Sequence, residues 1–136
     1  MKPRNLNLNR SGVGYLISIN EARDFILSLP ETVEIDHFGK PSLRINNKIF
    51  ATIQPDGITL TVKTVGEDRT IYTAMDPETY RIPETFSNLN YMHINLYTTS
   101  PEELKGLLIK AWRSVAPKRV VKAFDESKFE DDRGIT

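Results

Sequence analysis

The chain has two histidines, and their imidazole side chains could act as a general base or ligate a metal near neutral pH. They are His37 and His93. Asp36 could orient His37, but adjacent loop residues more often form a turn. A metal site would need both histidines and a carboxylate to converge from distant segments, and their spacing matches no metal-binding motif. The sequence therefore predicts no catalytic residue, no metal and no cofactor, while a hydrolase or transferase using either histidine stays a third hypothesis.

Positively charged residues offer a second chemistry, the binding of phosphate groups. Arg44 and Lys48 stand on either side of a polar turn, and Phe50 would add a ring on which a base could stack. A basic run after the last strong helical pattern could neutralise phosphates or equally complement the negative end of the helix dipole. The candidate nucleic-acid-binding residues are His37, Lys40, Arg44, Lys48, Phe50, Lys63, Lys118 and Arg119.

The charge of the chain is balanced overall but unevenly distributed. There are 18 basic and 18 acidic residues, whereas a protein that mainly grips phosphate backbones is usually basic. Residues 123–136 hold five acids and two bases, so residues 1–122 carry a net charge of +3. We expect weak, salt-dependent binding of any polyanion and a solvated, partly disordered acidic tail.

Periodicity places these residues on short strands between two amphipathic helices. A capping box at Ser18 precedes one helix, and Ser100 with Pro101 precedes a stronger one that should bury Trp112. Alternation predicts strands over residues 43–45, 48–53, 58–63 and 92–96. Residues 66–69 are predicted to form a loop or a poor strand, and Asp76 predicts a short helix over residues 77–80.

The elements predict an α+β fold, a two-layer sandwich in which helices pack on one face of an antiparallel sheet. The other face would be open to water. Polar outer faces are ordinary in such sheets, so this pattern alone does not establish a ligand. Alternation assigns to the open face Arg44, Lys48, Phe50, Thr52, Thr59, Thr61, Lys63, His93 and Asn95.

One domain fits a chain of 136 residues. We predict a flexible N-terminal arm over residues 1–17, a single α/β domain over 18–122 and an acidic tail over 123–136. The absence of cysteine favours a cytoplasmic protein, and the polar N-terminal residues predict neither a signal peptide nor a membrane partner.

Residues 37–44 (HFGKPSLR), 48–51 (KIFA), the strand ending at Lys63, and 111–119 (AWRSVAPKR) together resemble the MmcQ/YjbR-like family of small bacterial proteins. The resemblance covers roughly residues 18–121. It implies a compact α/β sandwich similar to the secretion-chaperone fold, in a group often described as DNA-binding through a proposed double-wing arrangement. A late strand that usually carries tryptophan and valine reads here as Tyr91, Met92, His93 and Ile94. The family brings no catalytic residues to transfer.

The leading expectation is a non-enzymatic module that binds nucleic acid through the open sheet face and the loop of residues 37–40. The alternative is a protein-interaction or chaperone-like adaptor, which would need an exposed apolar patch. Phe50, Tyr97 and Ile109 are the candidate members of that patch.

Overall fold

The computed structural model describes residues 17–85 and 87–134. Within these ranges the chain forms four helices and six strands. The helices are α1 (Ile19–Leu27), α2 (Asp68–Met75), α3 (Pro101–Val115) and α4 (Lys118–Gly134). The strands are β1 (Val33–His37), β2 (Lys40–Ile45), β3 (Lys48–Ile53), β4 (Thr59–Lys63), β5 (Tyr80–Arg81) and β6 (Tyr91–Asn95).

The strands form one antiparallel sheet in the order β1-β2-β3-β4-β6-β5. Consecutive strands β1 to β4 are a meander, and β6 then pairs with β4 while β5 closes the edge. Asn46 and Asn47 join β2 to β3 with positive φ angles of 54° and 63°, which suits a tight hairpin turn. The predicted α+β class is confirmed, with an open sheet and its helices.

The core lies between the sheet and the helices. The apolar stripe of α3 is buried as predicted, and α3 packs against β3 and β4. Trp112 is fully buried and its indole Nε1 donates a hydrogen bond to the carbonyl of Pro30 at 3.0 Å. Ser18 caps α1 through the predicted capping box, so Ile26 turns into the same core. The sheet is therefore covered by helices on the face that carries its apolar side chains.

A β-bulge at Phe50 alters the predicted alternation of β3. Leu43 pairs with Ala51 and Arg44 pairs with Ile49, so Phe50 is the extra residue of the bulged strand. Phe50 and Ala51 are both fully buried. The expectation that Phe50 faces water was wrong, because the bulge reverses the inward and outward sense of the residues before it.

Two short-range predictions around α2 were also wrong. Residues 68–75 are helical although no side chain caps the helix at Glu67. Asp76 ends this helix and, instead of starting another, accepts a hydrogen bond from the backbone of Thr79 in a turn. Arg69, predicted to lie in a loop or a poor strand, therefore projects from a helix.

The acidic end of the chain is helical where a partly disordered tail was expected. Helix α4 runs to Gly134, and Phe124 packs against Trp112 with their ring centroids 4.9 Å apart. Asp125 forms an ion pair with Arg113 of α3. Residues 1–16 of the expected N-terminal arm lie outside the described residues, whereas Ile17 is buried in the core.

Candidate functional site

Strand register identifies one face of the sheet that the helices leave free, here called the open face. Direct pairing links its residues across all six strands. Four of these strand residues are cationic and none is acidic, whereas Glu34 and Asp36 alternate to the other side of β1. The open face consists of Val33, Ile35, His37, Lys40, Ser42, Arg44, Ile49, Thr52, Thr59, Thr61, Lys63, Arg81, Tyr91, His93 and Asn95.

Arg44 is fixed on this face by three neighbours. Its Nε donates to Ser42 Oγ at 2.9 Å and its Nη1 donates to Asn47 Oδ1 at 3.3 Å. Its Nη2 lies 3.3 Å from His37 Nδ1. Because the guanidinium can only donate, His37 Nδ1 accepts and the ring proton resides on Nε2. Arg44 therefore presents a positive charge in a fixed orientation next to a histidine that offers an N–H.

Two other predicted cations also lie on the open face. Lys40 pairs directly with His37 on β1, and within the described residues its ammonium group has no ion-pair partner. Lys63 pairs with Tyr91, and its Nζ lies 5.9 Å from the centre of the Tyr91 ring. A cation and an aromatic ring thus occur side by side on β4 and β6.

Four of the predicted binding residues are elsewhere. Lys48 pairs with the buried Ile45, so its register assigns it to the helix-covered side. Phe50 is in the core. Lys118 and Arg119 belong to α4, where Arg119 Nη1 donates to Glu31 Oε2 at 3.2 Å. The sequence-predicted set therefore divides into open-face residues at positions 37, 40, 44 and 63 and residues of the helical side.

Two adjoining depressions lie on the open face, with volumes of about 780 Å³ and about 550 Å³. They share four lining residues, Gln54, Glu84, Thr85 and His93. One wall is the segment between β5 and β6, residues 82–85 and 87–90, which carries Glu84, Thr85 and Leu89. We call the joined depressions the His93 cavity.

Arg69 of α2 holds that wall in place. Its Nη1 donates to the carbonyl of Leu89 at 2.6 Å and its Nη2 donates to that of Ser87 at 2.9 Å. Thr64 adds a hydrogen bond from its hydroxyl to the carbonyl of Asn90 at 3.0 Å. A loop whose carbonyls are bound by a guanidinium keeps a defined shape, so the cavity has a fixed border on this side.

His93 stands at the centre of a hydrogen-bond chain. Gln54 Nε2 donates to Thr61 Oγ1 at 2.8 Å, and that hydroxyl lies 2.7 Å from His93 Nδ1. Burial lowers the pKa of His93, the charge of Arg81 lowers it further, Asp56 opposes the change and Lys40 adds to it. A neutral ring that accepts the Thr61 proton on Nδ1 carries its own proton on Nε2.

Asp56 borders the His93 cavity and is hydrogen-bonded by its own turn. Asp56 accepts hydrogen bonds from Thr59 and from the backbone of Ile58. Burial alone would raise the pKa of Asp56, but the hydrogen bonds from Thr59 and Ile58 outweigh it and the net direction is downward. Within the described residues neither histidine ring hydrogen-bonds a carboxylate, and no group of three or more acidic, histidine or cysteine side chains could hold a metal.

Sequence reasoning missed four residues of this site. Arg81 lies on a two-residue strand that is too short to show alternation, and it pairs with His93. Gln54 lies directly after a predicted strand, two residues beyond Thr52, which was the last position of that strand assigned to the open face. Arg69 and Tyr91 act through partners that lie 18 to 28 positions away in the chain, and no local pattern connects them.

The architecture defines a class of small α+β proteins in which an antiparallel sheet keeps one face free of helices. A family model described as YjbR matches residues 27–114, and the chain belongs to the YjbR family. The fold also resembles the crystal structure of the Deinococcus radiodurans protein DR2400, described as having the domain DUF419. That likeness has a TM-score of 0.63 and 17% identity over 71% of this chain and 77% of the other. No curated protein matches the chain.

Proposed function

We propose that this chain is a non-enzymatic binding module that holds single-stranded nucleic acid on its open face. The observation that carries the proposal is the interleaving of cations with aromatic rings on one rigid surface that has no acidic strand residue. Lysine and arginine contact phosphates, and aromatic rings stack on bases without reading their sequence. The cations are Lys40, Arg44, Lys63 and Arg81, and the rings are His37, Phe38, Tyr91 and His93.

A single strand fits this surface better than a duplex. Rings on a sheet can stack only on bases whose faces are accessible, and paired bases hide those faces within the helix. Six strands spaced about 4.8 Å apart present a surface roughly 24 Å across, enough for several nucleotides. The ligand class is therefore single-stranded DNA or RNA bound along the strand-to-strand direction.

The balance of charges limits the strength of this binding. The formal net charge is zero, so affinity would come from the four open-face cations rather than from the overall field. Neutralising about three to four phosphates gives a slope of roughly −2 to −3 in log affinity against log salt. Binding should be measurable at low salt and much weaker near physiological salt.

Fluorescence anisotropy with a labelled oligonucleotide of about 12 nucleotides tests the proposal. We expect the double variant Lys40→Glu/Arg81→Glu to lose at least tenfold in affinity, because both charges lie on the open face and, within the described residues, neither forms an ion pair. Lys118→Glu/Lys122→Glu changes the net charge equally on α4 and is the matched control. Equal losses in the two variants, or no binding by the unmodified protein at low salt, would refute the proposal.

An apolar edge of the sheet supports a second candidate, a protein-interaction or chaperone-like adaptor. Val33 and Ile35 of the edge strand β1 are 49% and 43% exposed, and Phe38 at the hairpin tip is 91% exposed. Phe38 has a φ of 54°, an unusual angle for a bulky residue and one that is often retained for function. The previously expected patch does not form, since Phe50 is buried and Ile109 is only partly exposed.

The two candidates differ in what Phe38 should do. Phe38→Ala should reduce oligonucleotide affinity about threefold or more if the ring stacks on a base. The adaptor hypothesis predicts instead that the variant binds the oligonucleotide like the unmodified protein and loses binding of extended apolar peptides, measured by fluorescence with a peptide array. Val65→Ala, an exposed apolar residue outside the open face, is the control.

A further inference from the structure

The His93 cavity offers a more specific site than the open face as a whole. Its two parts have volumes of about 780 Å³ and about 550 Å³, within the range of roughly 300–1,000 Å³ that small-molecule sites occupy. The larger part is bordered by polar groups including Arg81, and the smaller part by Ile49, Pro83, Leu89 and Tyr91. A ligand that fills both parts must have an apolar body joined to a polar group.

The hydrogen-bond chain leaves defined groups for such a ligand. Thr61 occupies His93 Nδ1, so Nε2 is the ring nitrogen that remains available, and it carries the ring proton when Nδ1 accepts from the Thr61 hydroxyl. Gln54 uses one N–H on Thr61 and keeps its carbonyl oxygen and a second N–H. Gln54 thus offers a donor and an acceptor side by side at the junction, which is the pattern that the edge of a nucleobase requires, and His93 Nε2 stays available for an anionic group.

Charge indicates where an anionic group would lie. Arg81 borders the polar part and Lys40 the apolar part, and neither has an ion-pair partner within the described residues. Asp56 is already occupied by Thr59 and Ile58, whereas Glu84 lines both parts without an ion-pair partner in the described ranges. Because Glu84 lines both parts, each phosphate beyond the one that the Arg81 charge offsets adds repulsion from the Glu84 carboxylate.

We infer that the His93 cavity binds one nucleotide unit, with the base against Tyr91 and Leu89 and a single phosphate against Arg81 and His93 Nε2. The inference rests on the proposed function, because it assigns one bound base of the strand to a defined pocket. It also goes further, since such a pocket should accept a free nucleoside monophosphate. Glu84 makes the pocket prefer a monophosphate to a triphosphate.

Calorimetry and histidine-detected NMR with free ligands test the inference. Adenosine monophosphate should bind and shift the His93 ring signals. Adenosine, ribose 5-phosphate and adenosine triphosphate should each bind at least tenfold more weakly, since they lack the phosphate, lack the base, or add charge beside Glu84. Equal affinity for ribose 5-phosphate and adenosine monophosphate would overturn the inference, because the base would then contribute nothing.

Matched variants locate the site. Arg81→Gln should weaken the binding of adenosine monophosphate about tenfold. Glu84→Gln should reduce the difference in affinity between the monophosphate and the triphosphate. Lys122→Gln removes a charge from α4 and should leave nucleotide affinity within twofold. His93→Phe should abolish binding while His93→Gln, which retains an N–H donor, should keep part of it. If Arg81→Gln and Lys122→Gln behave alike, the site is not in this cavity and the inference is wrong.

Comparing the free nucleotide with the oligonucleotide separates this inference from the proposed function. Oligonucleotide binding without detectable binding of adenosine monophosphate at millimolar concentration would overturn the nucleotide pocket and leave the open-face proposal standing. Binding of the mononucleotide that depends on Arg81, without oligonucleotide binding, would support the pocket and refute the open-face proposal.

Discussion

The two faces of the sheet are made from the same strands yet carry different side chains. The helix-covered face holds Leu43, Phe50, Leu60, Met92 and Ile94, each fully buried. The open face holds charged, hydroxyl and imidazole side chains at the alternating positions. Stability therefore resides mainly on one face, and the exposed residues of the other can vary at little cost to folding, unlike its buried Ser42, Thr59 and Thr61. Substitutions at neighbouring positions should consequently separate stability from binding.

The largest expected difference in stability between the two faces is the one between substitutions of Phe50 and of Ile49. Phe50→Ala should lower the free energy of unfolding by about 3–5 kcal/mol, because it leaves a cavity in the core at the bulge. Ile49→Ala, on the open face, should cost about 1 kcal/mol or less since that side chain is only partly buried. Urea unfolding followed by tryptophan fluorescence measures both, and similar losses would contradict the distinction between the faces.

Tyr80 places a polar group, its hydroxyl, on the helix-covered face. Its hydroxyl lies 2.6 Å from Glu103 Oε1 and 2.9 Å from Thr99 Oγ1. Tyr80→Phe should cost about 1–2 kcal/mol, while Tyr97→Phe at an exposed position should stay within about 0.5 kcal/mol. Equal costs in urea unfolding would count against a structural role for the Tyr80 hydroxyl.

Burial, followed by the hydrogen bond to Glu103, raises the pKa of Tyr80. In the unfolded chain this hydroxyl would ionise near pH 10.0, whereas the folded protein keeps it protonated. The stability contributed by Tyr80 is thus complete below pH 10 and should decline as the pH rises above that value. The Tyr80→Phe variant should lack this decline.

His93 should change the stability of the protein with pH less than Tyr80 does, and in the opposite direction. Its folded-state pKa is lowered from 6.5 by burial and then by Arg81, so below that pH the unfolded chain binds a proton that the folded protein does not. Stability should therefore fall as pH decreases through this region. His93→Gln should have a shallower dependence between about pH 7.5 and about pH 5.5, measured as the urea midpoint. An unchanged slope would show that His93 is not held neutral.

The smallest expected effect is the difference in oligonucleotide affinity between substitutions of Lys40 and of Lys48. Lys40 is assigned by register to the open face and Lys48 to the covered side. Lys40→Gln should weaken oligonucleotide binding about threefold, the size expected of one exposed charge contact, and Lys48→Gln should change it less than 1.5-fold or so. Comparable losses would mean that general charge, and not the open face, determines binding.

The sequence predicted those features that depend on neighbours along the chain. The stripe of α3, the cap at Ser18 and the turn at Asn46 and Asn47 are local patterns, and each is confirmed. The bulge at Phe50 was not predictable, because the strand contains neither glycine nor any break in its apolar run. Its position depends on which register lets both Phe50 and Ala51 enter the core.

The candidate site was predicted only in part for a similar reason. The open face follows from alternation, so Arg44, Lys63 and His93 were assigned to it correctly. The His93 cavity depends on the wall held by Arg69, which binds carbonyl groups about 20 positions later in the chain. Contacts of this kind arise from tertiary packing and leave no periodic signal.

The anchoring of α4 has a consequence for how this protein approaches a ligand. Asp125 is bound to Arg113 within the helical layer. This ion pair keeps the Asp125 carboxylate on the helical side of the molecule, whereas no strand residue of the open face is acidic. A polyanion would therefore meet less repulsion when it approaches the open face than when it approaches α4, so productive encounters would favour that orientation.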